Sequence, residues 1–309
     1  MRFDRLRVRA GSRPGVDGSR CSIACVRSGT STTSTSRGAP RSTTRRRGLA
    51  RRPCGGADTA RTRRGLRGNF EKGERIIDEA ETLAAFSEIA RARIDLERGR
   101  LRRTGGNTAA ALPLFVAAFA LALEADTLYV AVDAAHMAAL AAPDQQGFLD
   151  WTDRGVVLAE RGDPDVRYWL GPLLNNLGWH HYEAGDHEGA LAAFRRALGE
   201  RERNLENRAA IEIALYAVAK TLRTLGRPDE GAPLLERAVV SADGDGRPDG
   251  WICEELAETC PALGRAESAR DNARRAFLLL PEADPEFGPD GERAMRLSEL
   301  AGDEDAEED

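Results

Sequence analysis

The sequence predicts an all-α protein, an array of helix pairs preceded by a disordered N-terminal arm. Three observations carry that prediction. Hydrophobic residues make up 41% of the 309 but aromatics only 6%, with long runs of Ala, Leu, Arg and Glu. That balance suits helices packed through small residues better than a sheet. Second, a two-helix unit, most complete over residues 173–206, recurs along the chain in weaker copies. Third, glycines placed to turn one helix into the next fall at 68, 106, 185, 226 and 264, spaced 38, 79, 41 and 38 apart. The 79 is about twice the others and predicts a hidden repeat whose turn has no glycine.

Residues 1–58 form the arm, made of Arg, Ser, Thr, Gly and Pro with almost no apolar periodicity. Residues 1–68 carry 18 Arg, no Lys and three acids, a net charge of +15; the remainder carries 27 basic and 47 acidic residues, a net of −20. The formal charge of −5 hides this contrast. Three readings of the arm stand side by side. It is a disordered basic segment, or it touches nucleic acid by releasing counterions from phosphates, or it is read from a wrong start or frame of GC-rich DNA. The absence of Lys, Glu and Gln beside so much Arg favours the last.

The array is expected over residues 59–301. It opens with half a repeat: a helix following Gly68 places Gly73 and Ala80 on small-residue slots, while the segment 54–67 before it is glycine-rich and poor in apolar positions. In the next unit Gly99, Gly106, Ala111, Phe115 and Ala118 hold the marker slots, and Pro113 lies in the first turns of its helix, where a missing donor costs little. Residues 127–142 and 145–162, separated by Pro143-Asp144, are the hidden pair. Gly162-Asp163-Pro164 then closes one helix and opens the next, with Asp as cap and Pro just inside.

The central unit has helices over 173–183 and 188–203 around Ala184-Gly185-Asp186. Gly185 can take the left-handed conformation that ends a helix, and Asp186 caps the following one. Leu174, Leu177, Gly178 and His181 make one stripe; Ala190, Phe194 and Ala197 make the facing one. Gly178 and Ala190 are small where the helices approach. Ala219, Gly226, Gly231, Leu235 and Ala238 repeat the pattern, residues 241–250 read as a loop, and Ala257, Gly264, Ala269, Ala273 and Ala276 repeat it again with Pro281 as a closing proline. A helix over 291–301 caps the last apolar face, as linear arrays require. Residues 302–309 are an acidic, disordered tail.

This pattern resembles the tetratricopeptide repeat: a large apolar residue, Leu-Gly, an aromatic, then Ala-x3-Phe on the second helix. Leu174 stands for the usual Trp, His181 for the usual Tyr, and the central unit has no closing Pro. With LERGRLR, DAAHMAAL, LLNNLGW and KTLRTLGR, residues 68–301 look like bacterial tetratricopeptide-repeat proteins. The resemblance implies a right-handed α–α superhelix whose concave groove binds a protein or peptide, and it implies no established reaction. It also implies which residues line the groove: Arg100, Arg103 and Thr104, then Asn175, Trp179 and Tyr182, then Tyr216, Lys220, Arg223 and Thr224. Arginine forks and Asn amides there hold carboxylates or extended backbone, and the aromatics anchor apolar side chains. The other face of this expectation is a merely solvated wall. Against it stands the sign of the charge, since basic residues gathered on one stripe are unexpected in a body of net −20. The expected partner is an acidic or carboxylate-bearing peptide. A sensor or regulatory module, whose effector domain for transcription or signalling lies elsewhere, is the alternative.

Other chemistry is not expected. Phosphate-binding glycine loops, dinucleotide fingerprints, zinc-protease helices and nucleophile elbows are absent from the sequence. Cys21, Cys25, Cys54, Cys253 and Cys260 have no metal-ligand spacing, and Cys253 and Cys260 share a helix face as core residues. His180, His181 and His187 read as packing or solvated histidines. Asp243-x-Asp245 with Glu254 imitates the ends of a calcium loop, but Arg247 and Pro248 stand where a ligand and a glycine belong. Glu254, Glu255 and Glu258 read as a solvated helix face. The chain is therefore expected to be no enzyme, to hold no cofactor or metal, and to bind neither membrane nor nucleic acid. The longest apolar run, Ala109 to Glu124, is shorter than the roughly 20 residues of a span, and no signal peptide is readable. The expected location is the cytoplasm.

Overall fold

A computed structural model of the chain describes residues 69–84, 87–203, 207–284, 286–288 and 290–302. The arm over 1–58, the segment 54–67, the turn at Gly68 and residues 303–309 lie outside the described residues. Among the described residues there are helices and no strand. In order these are α1 (Phe70–Ala84), α2 (Glu88–Thr104), α3 (Thr108–Glu124), α4 (Leu128–Ala141), α5 (Gln145–Arg161), the short α6 (Pro164–Arg167), α7 (Leu170–Glu183), α8 (His187–Arg201), α9 (Arg208–Thr224), α10 (Pro228–Gly244), α11 (Gly250–Thr259), α12 (Ala266–Ala283) and α13 (Glu292–Ala301). From α1 to α4 and again from α7 to α13, consecutive helices pack on one another as helical hairpins. The array expected as one stretch over 59–301 is divided into two compact units, whose described parts are residues 69–151 and 152–302.

Short polar side chains start the helices as the sequence indicates. Ser87, Asn107, Asp186 and Asn207 each accept a hydrogen bond from the backbone N–H three residues on, satisfying a donor the helix leaves open. Gly106, Gly185, Gly226 and Gly264 have φ of 84°, 82°, 72° and 68°, the left-handed region where a β-carbon would clash with the following carbonyl. The two helices expected for the hidden repeat are present as α4 and α5. Their turn manages without glycine because Pro143 follows an extended Ala142, and Asp144 Oδ1 accepts from Gly147 N at 2.8 Å.

The hairpins close where the markers sit. A β-carbon on Gly99 would lie 2.4 Å from a Phe115 ring carbon, and one on Gly178 would lie 2.4 Å from a Phe194 ring carbon. Thus Gly178 makes room for the ring of Phe194 rather than for Ala190. Both phenyl rings are fully buried, each contributing about 2–3 kcal/mol of hydrophobic stabilisation. In the pair α9–α10 the small residue moves to the other helix, where Gly231 lies against the backbone of Ala219.

The second helices of the 152–302 unit carry a repeated ion pair. Glu160, just after buried Ala159, meets Arg196, just before buried Ala197. Glu202 meets Arg237, just before Ala238, at 2.6 Å, and Asp243, just after Ala242, meets Arg275, just before Ala276, at 2.6 Å. At three successive junctions an acid from one second helix therefore holds an arginine of the next. These pairs are exposed, and each is worth about 0.2–1 kcal/mol.

Three expectations change. Residues 241–250 are not all loop: α10 continues to Gly244 because Ala242 packs inside, and Gly246 and Arg247 then donate to Asp243 O and Ala242 O to close it. Pro281 does not end its helix, which runs to Ala283, since only the last turn feels the missing N–H. Asp163 caps a helix through Val166 N, as expected, but that helix is α6, four residues long, and α7 begins at Leu170. The last helix, α13, is where the sequence puts it. It is pinned by Arg293, which pairs with Glu254 and Asp284 at 2.7 Å each and stacks on Trp251, 4.6 Å from its ring centre.

Candidate functional site

The first helices α7, α9 and α11 lie in sequence along the 152–302 unit, and seven of the ten groove candidates belong to α7 and α9. Trp179 on α7 is the centre of an aromatic cluster. Its ring meets Tyr182 and Phe194 edge-on at 5.5 and 5.0 Å and lies 6.4 Å from Tyr216 of α9. Tyr182 reaches the same helix through its hydroxyl, 2.8 Å from Thr224 Oγ1. One turn before Trp179, Asn175 is only 4% exposed. Asn175 Oδ1 and Trp179 Nε1 are buried atoms without a hydrogen-bond partner among the described residues.

Lys220 and Arg223 are one turn apart on α9 and share one carboxylate. Glu255 of α11 accepts from Lys220 Nζ through Oε2 at 2.9 Å and from Arg223 Nε through Oε1 at 2.5 Å. Glu255 is 2% exposed, so the reading of Glu254, Glu255 and Glu258 as a solvated face is corrected. Glu254 is held by Arg293 and Glu258 by Arg296. Burial opposes the charge on Glu255, but Lys220 and Arg223 outweigh it and lower its pKa. Burial likewise opposes the charge on Lys220, and Tyr216 and Glu255 reverse the shift to an increase. Lys220 Nζ also sits 5.7 Å from the centre of the Tyr216 ring. Three charged groups in one patch thus leave one positive charge in excess, beside an aromatic cluster.

Arg100 and Arg103 belong to the 69–151 unit. Arg100 is 8% exposed and binds Glu97 and Asp133, tying α2 to α4; Arg103 is half-buried. Arg100 is a core ion pair in a place the sequence assigned to a binding wall. The cause is Asp133, a buried carboxylate that needs a buried cation, in a helix whose other buried residues are apolar apart from His136. Glu255 was the residue sequence reasoning missed at the other site. The available signal was an acid on one first helix opposite a Lys-x-x-Arg pair on the preceding one.

The other candidates sit where packing puts them. Cys253 and Cys260 are buried free thiols, and burial pushes the Cys253 thiol up to about 11. Among the described residues no cluster of His, Cys, Asp and Glu could hold a metal, and no helix is long and apolar enough to cross a membrane. Asp243 and Asp245, the imitation calcium ligands, are ion-paired to Arg275, and to Arg208 and Arg247.

Among solved structures, a signal-transduction ATPase with numerous domains from Pyrococcus horikoshii, which has a tetratricopeptide-repeat sensor, superposes with a TM-score of 0.63 over 80% of this chain and 38% of that one, at 15% identity. The fold is that of a tetratricopeptide-repeat array. No protein-family model matches the chain. Curated sequences add a different finding: glycerol kinase of Agrobacterium fabrum is 27% identical over 225 residues, 65% of this chain and 43% of the enzyme. Glycerol kinase of Brucella ovis is 27% identical over 176 residues, 52% of this chain and 34% of the enzyme. The chain spans less than half the length of these relatives. They are enzymes, and the expectation that this tetratricopeptide-like chain is no enzyme is corrected on that ground. Local signature motifs are absent from the sequence, and a partial match of this kind does not need to contain them.

Proposed function

We propose that the array is a protein- or peptide-recognition module, and that the face formed by α7, α9 and α11 binds an acidic segment. The observation that supports this best is the two-to-one arrangement of Lys220 and Arg223 on Glu255, beside Trp179, Tyr182 and Tyr216. An anionic group of the partner would take the excess positive charge, and an apolar side chain would lie on the exposed edge of the aromatic cluster. Sensor repeats in the Pyrococcus protein are in keeping with recognition as the task, and a separate effector would then act on it.

The test is titration of an acidic peptide carrying one aromatic residue into the full chain, against the double variant Lys220→Glu, Arg223→Glu. A control reverses Arg270 on α12. Binding lost only in the double variant, and weakened by salt as screened charges require, supports the proposal. Equal binding by all three folded proteins removes it. The partial match to glycerol kinases favours a second reading, a contribution to phosphoryl transfer onto a polyol. Glycerol-dependent release of ADP from ATP by the purified chain measures it, and a rate equal to the glycerol-free blank removes it.

A further inference from the structure

Arg201, the last residue of α8, is 6% exposed, yet no hydrogen bond or ion pair holds it among the described residues, and its Nε is a buried atom without a partner. Its side chain lies across Gly171 at the start of α7: a β-carbon there would come within 3.1 Å of Cγ, 3.3 Å of Nε and 3.5 Å of Cζ. Glycine at 171 therefore leaves the space that the guanidinium fills.

The repeats supply an internal control. The residue in the place of Arg201 is Ala159 in α5 and Ala242 in α10, each immediately before its ladder acid, and Leu280 in α12, which lies against Gly250 as Arg201 lies against Gly171. All three are buried and apolar. Packing alone thus asks for an aliphatic residue at this slot. Where a later repeat does bring a charge to the position matching Gly171, it is satisfied: Glu212 accepts from Ser241 Oγ at 2.7 Å and from Arg247 Nη1 at 3.4 Å. The acids flanking Arg201 in sequence are engaged elsewhere. Glu200 accepts two hydrogen bonds from Arg167, at 3.0 and 2.7 Å, and pairs with Arg203 at 3.2 Å, while Glu202 holds Arg237. A cation at a helix C-terminus gains about 0.3–1 kcal/mol from the helix dipole, which is small against the several kcal/mol that burying an uncompensated ion costs.

We propose that Arg201 is the anchor of an oxyanion-binding site at the junction of α7 and α8, taking a carboxylate or phosphate group on its guanidinium fork. The fork matches two oxygens of such a group at once, and the charge-assisted bonds are strongest where water is excluded. The site is separate from the Lys220–Arg223–Glu255 patch, and its success or failure leaves the peptide-binding reading untouched.

The test is thermal unfolding of the full chain in increasing sodium phosphate, and separately in sodium acetate, with ionic strength held constant by sodium chloride. The variants are Arg201→Met, which keeps length without charge, Arg201→Lys, which keeps charge without the fork, and Arg203→Met as a neighbouring control. In the wild type and in Arg203→Met, Tm is expected to rise with the logarithm of oxyanion concentration, each tenfold above the dissociation constant adding about 1.4 kcal/mol. Arg201→Met is expected to be flat, and Arg201→Lys to need at least about tenfold more oxyanion for the same rise. A response to phosphate alone assigns the site to phosphorylated compounds, and a response to acetate alone assigns it to carboxylates. A flat wild type overturns the proposal by itself, whether or not the variants fold, and so does a rise of equal size in wild type and Arg201→Met.

Discussion

At the scale of single residues, this molecule is decided by places where one atom more or less is felt. Gly178 is the clearest. Its missing β-carbon is what lets the Phe194 ring sit against α7, so Gly178→Ala is expected to cost about 1–3 kcal/mol by overpacking, and Phe194→Leu in the same chain to recover part of it. Urea denaturation measures both, and additive losses would show that the two residues do not share that contact. Glu255 makes a pH prediction. Its pKa is lowered in the folded protein by Lys220 and Arg223, against the opposing effect of burial. A carboxylate with a lowered folded pKa contributes stability that is complete above its unfolded value and is lost as pH falls through the folded one. Between neutrality and about pH 4 the wild type should therefore be more stable than Glu255→Gln, and the gap should close on further acidification. A gap that widens in acid would mean the carboxylate is not the charged partner. Cys253, with its thiol pushed up to about 11 by burial, is expected to resist alkylation at pH 8 until the chain unfolds.

At the scale of elements, helices, caps and turns were legible because each depends on neighbours within a few residues: Asp186 on Gly189, Gly185 on the end of α7, Asp144 on the start of α5. Ion pairs between helices were not legible in the same way. Lys220 and Arg223 reach Glu255, more than thirty residues on, and Arg100 reaches Asp133 at a similar distance; helical periodicity gives a face to each residue without saying which opposing side chain meets it. The same blindness turned Glu255 into a solvated acid and Arg100 into a groove residue. The final helix offers the sharpest element-level prediction. Arg293 is the cation beside Asp284, a carboxylate 2% exposed, and removing one partner of such a pair costs on the order of 3 kcal/mol. Arg293→Met should therefore release α13, raising hydrogen exchange there and at the end of α12 while α7 and α8 keep their protection. Uniform loss of protection through the 152–302 unit would contradict so local a clasp.

At the scale of the whole molecule, linear arrays are stabilised by nearest-neighbour contacts, and the ladder Glu160–Arg196, Glu202–Arg237 and Asp243–Arg275 supplies one such contact per junction. Replacing all three acids by amides should cost about 1–3 kcal/mol in total at low salt and much less in concentrated sodium chloride; an unchanged cost in high salt would point to packing instead. The ladder also has a direction. The acid always comes from the earlier helix and the arginine from the later one, a head-to-tail rule of the sort that lets identical parts add on without limit and grow into fibres. The place where a fourth acid would follow buried Leu280 is held by Pro281. The slot that would hold the fourth rung's acid is therefore taken by an imino acid, and the nearest exposed carboxylate, Glu282, lies one residue further on. The one-way rule that keeps the repeats in order is thus written three times and then changes its spelling.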